Sequence, residues 1–235
     1  MLWYKVWLET RTRFLISLVG STALCASRVS DLNRSAPSWT QSSYRYLTLH
    51  SGQQLLVLPW LVAITFLMMG GLLQEKANGS ALFTLALPVS RARLMNVRIC
   101  AGLMQSALLV VVPWAAMYTA AYNWAPAHFA RQVLFYVVVL ASGGAVFVGS
   151  ALLISSLVEG TYLAPMISAG IALACGNAPN SLAFVNPLAF MDGRSYLGPG
   201  NMLAGPMPWG HAAAYMSVAA LLIVASVKAI ERRDF

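Results

Sequence analysis

Long uncharged apolar runs alternate with shorter polar, basic stretches along this chain. Residues 55–73, 99–121, 133–157, 161–178 and 209–227 contain no Asp, Glu, Lys or Arg. Each is long enough to cross a hydrocarbon core that about 20 apolar helical residues span. Residues 14–30 form a weaker sixth run, because its uncharged part ends at Arg28. The pattern predicts an all-α, polytopic membrane protein with six transmembrane helices at 14–30, 53–75, 97–121, 132–158, 161–178 and 209–228, in one transmembrane domain over 1–235. Residues 1–13 place Leu2, Trp3, Val6 and Trp7 on one helical face and Lys5, Glu9 and Thr12 elsewhere. That amphipathicity predicts an interfacial helix ahead of the first span. A secretory signal peptide, with its apolar part at 14–26, is the alternative, but it has no need of an amphipathic start.

Composition agrees with the pattern. The chain is 59% hydrophobic and 9% charged, with a mean hydropathy of +0.68, which excludes an ordinary soluble globule. The basic residues set orientation. With six spans, Lys5, Arg11, Arg13, Lys76, Arg91, Arg93, Arg98, Lys228, Arg232 and Arg233 share one side, and Arg28, Arg34, Arg45, Arg131 and Arg194 the other. The richer side is the cytoplasmic one, so both termini and the loop at 76–96 are expected there. The net charge of +8 is then a topology signal and a contact with anionic lipid headgroups, not a nucleic-acid footprint.

Candidate chemistry within the spans is sparse. No Asp, Glu, Lys or Arg falls in the middle of a span, which argues against an ion-driven transporter with its own proton relay. The run GAVFVGS at 144–150 has the glycine spacing of a phosphate loop but no lysine, and it lies in an apolar span, so it reads as helix packing. Cys25, Cys100 and Cys175 are too scattered for a disulfide framework or a metal motif. His50, His128 and His211 fall at outer span ends without a second ligand at i+3 or i+4, which favours interfacial hydrogen bonding over a metal site. Ala164, Ser168, Ala172 and Gly176 form a small-residue stripe, and Ala141, Ala145 and Gly149 form another. Such stripes suit close helix approach, either within the chain or between subunits. Pro59, Pro113 and Pro165 lie within spans and are expected to kink them.

Two outer segments and one inner loop remain. Residues 29–52 read as a polar, Ser-rich outer loop. Residues 179–208 are broken by prolines and glycines yet carry Leu182, Phe184, Leu188, Phe190 and Leu197; they fit a re-entrant outer segment before the sixth span, or an interfacial loop. The inner loop is amphipathic: Leu82, Phe83, Leu85 and Leu87 share it with Lys76, Arg91 and Arg93, Pro88 limits a helix-sized element, and VSRARL restarts a helix into the third span. Such an element fits either a groove on a cytoplasmic partner or the membrane surface.

The stretch EKANGSALFTLALPVSRARLMNVR, 75–98, resembles the loop between the second and third spans in permease subunits of ATP-binding-cassette type-2 exporters. In that family a glutamate ending the second span is followed by a Gly-Thr-like pair, a hydrophobic stretch and Leu-Pro-Val-Ser-Arg. Glu75, Gly79 with Ser80, residues 82–85 and residues 87–91 hold those places here; Ser80 replaces the commoner threonine. The N-terminal helix, the six spans, the broken outer segment and the C-terminal ERRDF are also similar to the family, so the likeness covers the whole chain, with 75–98 its specific part. The resemblance implies a multi-pass subunit of the cell membrane, such as a bacterial inner membrane, that pairs with a second permease subunit, identical or different, above two cytoplasmic ATPase subunits. ATP and Mg would bind in those partners, with no cofactor, metal or catalytic residue in this chain. The loop would be a coupling helix, with Glu75 and Arg91 anchoring or transmitting motion and Phe83, Leu85 and Leu87 filling the ATPase groove. Export of a lipid-like, amphipathic or peptide substrate is implied.

Two other classes stay open on the residues alone. One is an integral-membrane enzyme acting on lipids, with Asp192, Arg194 and His211 as an outer polar centre. The other is a non-transporting assembly scaffold that uses the same loop as a docking handle.

Overall fold

The computed structural model describes residues 2–35, 42–68, 91–121, 129–158, 163–177, 185–199 and 202–232. Seven α-helices account for most of them: α1 Leu2–Ser35, α2 Ser42–Met68, α3 Arg91–Ala121, α4 Phe129–Leu157, α5 Leu163–Gly176, α6 Pro187–Asp192 and α7 Trp209–Glu231. A 3-10 turn, Arg194–Tyr196, follows α6, and an isolated antiparallel bridge joins Leu197 to Leu203. Helices are what such a sequence must form in hydrocarbon, where each backbone group needs a partner within its own segment. Among the described residues four stretches are long and apolar enough to cross a membrane: His50–Met68, Arg93–Thr119, Ala130–Leu157 and Trp209–Glu231. Met166–Gly176 is a shorter apolar helix. The chain is therefore an all-helical membrane protein.

Several boundaries differ from the sequence reading. α1 runs unbroken from Leu2 to Ser35, with no break at the expected junction between an interfacial helix at 1–13 and a span at 14–30. It is not among the stretches that, among the described residues, are long and apolar enough to cross a membrane. The expected outer loop at 29–52 is also mostly helical, because α1 continues to Ser35 and α2 already starts at Ser42. Polar composition alone does not end a helix. Between Gly20 and Gly52 the one Gly or Pro is Pro37, and it falls in the gap between the two helices. Pro59 and Pro113 lie inside α2 and α3, as expected. Pro165 is the third residue of α5, where the first-turn N–H groups have no intrahelical partner, so it forfeits no helical hydrogen bond there.

Point contacts fix the helix directions. Gly52 lies against Met117, Trp60 Nε1 donates to the Ser106 carbonyl at 3.4 Å, and Gly102 abuts Met68, so α2 and α3 are antiparallel. The His50 and Tyr136 ring centroids are 6.4 Å apart and Trp60 meets Gly144, so α2 and α4 are parallel. Arg131 donates to the Gly205 carbonyl at 2.8 Å and Gly149 meets Ala219, so α7 also runs parallel to α4. The first turns of α1 lie beside the end of α2 and the start of α3: Arg13 donates to the Phe66 carbonyl at 3.1 Å, and Glu9 approaches Arg98 at 3.9 Å. Deeper in, Gln105 Nε2 donates to Thr10 Oγ1 at 2.7 Å, and Thr10 Oγ1 donates to the Val6 carbonyl. Neutral polar pairs of this kind hold membrane helices together. One end of the bundle thus gathers the start of α1, the end of α2 and the start of α3; we refer to it as the loop end.

α4 is the central helix, packed against α2, α3, α5, α6 and α7. Two adjacent glycines make this possible. A Cβ on Gly144 would overlap Cη2 and Cζ3 of the Trp60 indole, while one on Gly143 would sit 2.7 Å from Met191 Cγ and 3.1 Å from the Pro187 carbonyl oxygen. The run at 144–150 is plain helix, with Gly144 under Trp60 and Gly149 under α7. Overpacking of a filled core costs about 1–3 kcal/mol. Gly144→Ala should therefore lower the unfolding temperature of the purified protein. Combined with Trp60→Leu, which vacates the contact, it should cost less than the sum of the two single losses in the same thermal assay.

Candidate functional site

The best-defined polar arrangement lies at the end opposite the loop end, where the segment between α5 and α7 sits on the bundle. Asn186 starts that segment. Its Oδ1 accepts from the N–H groups of Leu188 and Ala189, capping α6, while its Nδ2 donates to the Cys175 carbonyl of α5 at 2.6 Å. α6 ends at Gly193, whose φ of 72° is the left-handed conformation that glycine tolerates at a helix C-terminus. The Phe135 ring packs on its Cα face, where a Cβ would stand 3.0 Å from the ring. Three side chains from the spans then hold the irregular backbone. Gln53 of α2 donates to the Met191 carbonyl at 2.6 Å, Gln132 of α4 accepts from the Leu203 N–H at 3.0 Å, and Arg131 of α4 holds the Gly205 carbonyl. Each partners a backbone group that no helix ladder serves.

Aromatic rings fill the space beneath. Trp114 stacks on Tyr136 at 5.1 Å and 9°, Phe135 meets Tyr196 at 6.1 Å, and Phe190 lies 4.8 Å from Tyr215 and 6.3 Å from His211. Burial pushes the Tyr196 phenol up from its ordinary value, so it stays a neutral hydroxyl at physiological pH. His50 departs from the sequence reading: it is 6% exposed, and neither ring nitrogen has a hydrogen-bond partner among the described residues. Its neighbours explain this, because α2, α4 and the overlying segment close around it, with Asp192 and Arg194 near enough to act on it electrostatically. His211 is exposed at the start of α7 and makes ring contacts with Phe190 and Tyr196. Asp192 and Arg194, placed with His211 in the sequence reading, also lie near His50. Among the described residues no three His, Cys, Asp or Glu side chains converge on a metal position.

An apolar groove of about 450 Å³ lies between α2 and α5, walled by Leu58, Leu61 and Val62 on one side and by Ser168, Ala172 and Gly176 on the other. The small-residue stripe of α5 thus faces a groove over these three positions. The polar groups at its margins are engaged within their own helices: Thr65 donates to the Val62 carbonyl and Asn177 to the Leu173 carbonyl. Of the three cysteines, Cys25 is buried in the core, Cys175 is half-buried and Cys100 is exposed; all are free thiols.

Glu75, Phe83, Leu85 and Leu87 lie outside the described residues, as do His128 and the side chains of Arg91 and Ala164. α3 does begin at Arg91, where VSRARL was expected to restart a helix. The groups that sequence reasoning missed are Gln53, Gln132 and Asn186. Their signal was present: uncharged amides at the margins of apolar runs, which in membranes act as interhelical and loop ligands. Comparison with known protein families and with curated protein sequences returned no match.

The Gln53 contact makes a testable claim about the segment. Gln53→Leu removes the donor to Met191, and a typical net hydrogen bond is worth about 0.5–1.5 kcal/mol, or about two- to tenfold in a local opening equilibrium. Amide hydrogen exchange over 187–197 should accelerate by that factor while exchange within α3 stays unchanged.

Proposed function

We propose that this chain is the permease subunit of an ATP-binding-cassette exporter, with six spans, both termini cytoplasmic, and ATP hydrolysed by a separate cytoplasmic subunit. The single observation that carries the reading is the pattern from Glu75 to Arg98, set between two antiparallel spans. Its position supports it: residues 69–90 connect the end of α2 to the start of α3, at the end where α1 begins. That end also carries Lys5, Arg11, Arg13, Arg93 and Arg98, matching the cytoplasmic side expected from basic residues. α1 and α5 supply the first and fifth spans. α1 tolerates its charges because they sit near its ends, with 14–27 uncharged between them.

A loop held by two helices suits mechanical coupling. Phe83, Leu85 and Leu87 enter a groove on the ATPase, Glu75 and Arg91 anchor the ends of the element, and closure of the ATPases displaces α2 and α3 together. A second permease subunit completes the translocation path, and membrane lipids surround the rest. The cargo class follows from the walls. A groove whose marginal hydroxyl and amide groups are already bonded favours a lipid-like or amphipathic substrate over a small ion.

Truncation of a buried interface anchor costs about 2 kcal/mol or more, which is about 30-fold in affinity. Phe83→Ala and Leu85→Ala should each reduce the ATPase that copurifies with the chain at equal membrane expression, and Arg91→Ala should uncouple substrate-stimulated hydrolysis. Wild-type behaviour of both truncations would defeat the coupling reading. Cysteine labelling provides a separate check: position 78, in a background without Cys25, Cys100 and Cys175, should resist an impermeant reagent added to intact cells.

A further inference from the structure

His50, Gln53, Trp114 and Tyr136 meet where α2, α3 and α4 come together under α6, and each of the four is at least nine-tenths buried. His50 and Gln53 are three residues apart on one face of α2. The His50 ring lies 6.4 Å from Tyr136, which stacks on Trp114. Both His50 nitrogens, Gln53 Oε1, Trp114 Nε1 and Tyr136 Oη lack a hydrogen-bond partner among the described residues. The Gln132 side chain, which accepts from the Leu203 N–H, also lies against the Tyr136 hydroxyl. The Gln53 amide nitrogen is already committed to Met191, so its oxygen is the end left to be served. Folded proteins seldom leave one such group dry, and this junction has four side chains in that position.

The chemistry of the set specifies the ligand. Trp114 Nε1 only donates, Gln53 Oε1 only accepts, Tyr136 Oη does both, and a neutral imidazole offers one of each. An anion would leave the acceptors unserved, and a cation would meet the indole N–H. The nearby Asp192 and Arg194 carry opposite charges and favour neither. We infer that this junction is an internal water-binding site, holding ordered water between the three spans and the segment that covers them. Water at such a site needs several polar partners, which these side chains supply. Binding there hydrates the seat of α6 while Gln53 holds its Met191 carbonyl.

The proposal can be read by X-ray radiolytic labelling of the full chain in H2-18O. Phosphatidylcholine nanodiscs supply no headgroup hydroxyl, so water is the source of any label. Trp60 is the internal control: it is as deeply buried as Trp114, but its Nε1 is bonded to the Ser106 carbonyl. Trp114 should take up oxygen several-fold faster than Trp60, and Tyr136 should be labelled as well. Labelling of Trp114 at or below the rate of Trp60 would overturn the proposal. The Tyr136→Phe variant removes one hydroxyl and little volume. A hydrated site predicts a lower unfolding temperature for it; a rise, the result of deleting an unserved buried hydroxyl, counts against bound water.

Discussion

The contact on which the rest of the molecule depends is the notch at Gly143 and Gly144 in α4. On one side it admits the Trp60 indole, and on the other it admits the side chains and carbonyl of α6. A methyl group at either position would push apart helices that are otherwise close-packed, and interiors of that density do not yield cheaply. Membrane helices gain little from apolar burial relative to lipid, so their association rests on close approach and on polar contacts. Both are concentrated along α4. Its glycines receive neighbours from two directions, and Arg131 and Gln132 hold the backbone at 203–205.

The covering segment shows how irregular backbone is tolerated next to the spans. Its described residues include a short helix, a 3-10 turn and a bridge, and much of the rest of their backbone lies outside any ladder. Its exposed carbonyls and N–H groups are met by amide and guanidinium side chains from α2 and α4. The segment is thus a folded part of the bundle, with Phe190 and Met191 at 3% and 0% exposure. Its position is set by fixed donors and acceptors as well as by apolar contact. The junction beneath it extends the same logic, since its polar side chains are buried inside the bundle.

Much of the helical framework was legible in the sequence, because lipid enforces the match between apolar length and helix. The runs at 133–157 and 209–227 reappear as α4 and α7, with ends shifted by a few residues. The misread boundaries lie where composition changes but backbone preference does not. Residues 29–35 and 42–52 turn polar without a glycine or proline to stop a helix until Gly52, so the backbone stays helical as it leaves the apolar zone. The polar junction was harder to read. His50 lies at the end of an apolar run, a position that suggests the interface, and the fold of residues 185–199 and 202–207 over that end helps make it interior. Gln53 and Gln132 are separated by 79 positions and serve one segment that is distant from both, which no local periodicity encodes.

A division of labour between the two ends of the bundle follows from these placements. At the far end, side chains from α2 and α4 are committed to the covering segment, and aromatic rings from α3, α4 and α7 fill the space below it. Displacing that structure means breaking several specific contacts together. At the loop end the ties among the described residues include exposed ion pairs. The Glu9 carboxylate is 3.8 Å from Lys5 and 3.9 Å from Arg98, both partly solvated pairs of little net worth, and Arg13 reaches a single terminal carbonyl of α2. A force applied between α2 and α3 at the loop end would act on these exposed pairs first. It would be transmitted along two antiparallel helices, joined at Trp60 and Ser106 and again at Gly52 and Met117, to the polar junction at the other end. That route is what the coupling role proposed for the loop at 69–90 requires of the bundle, with motion carried from one end to the other.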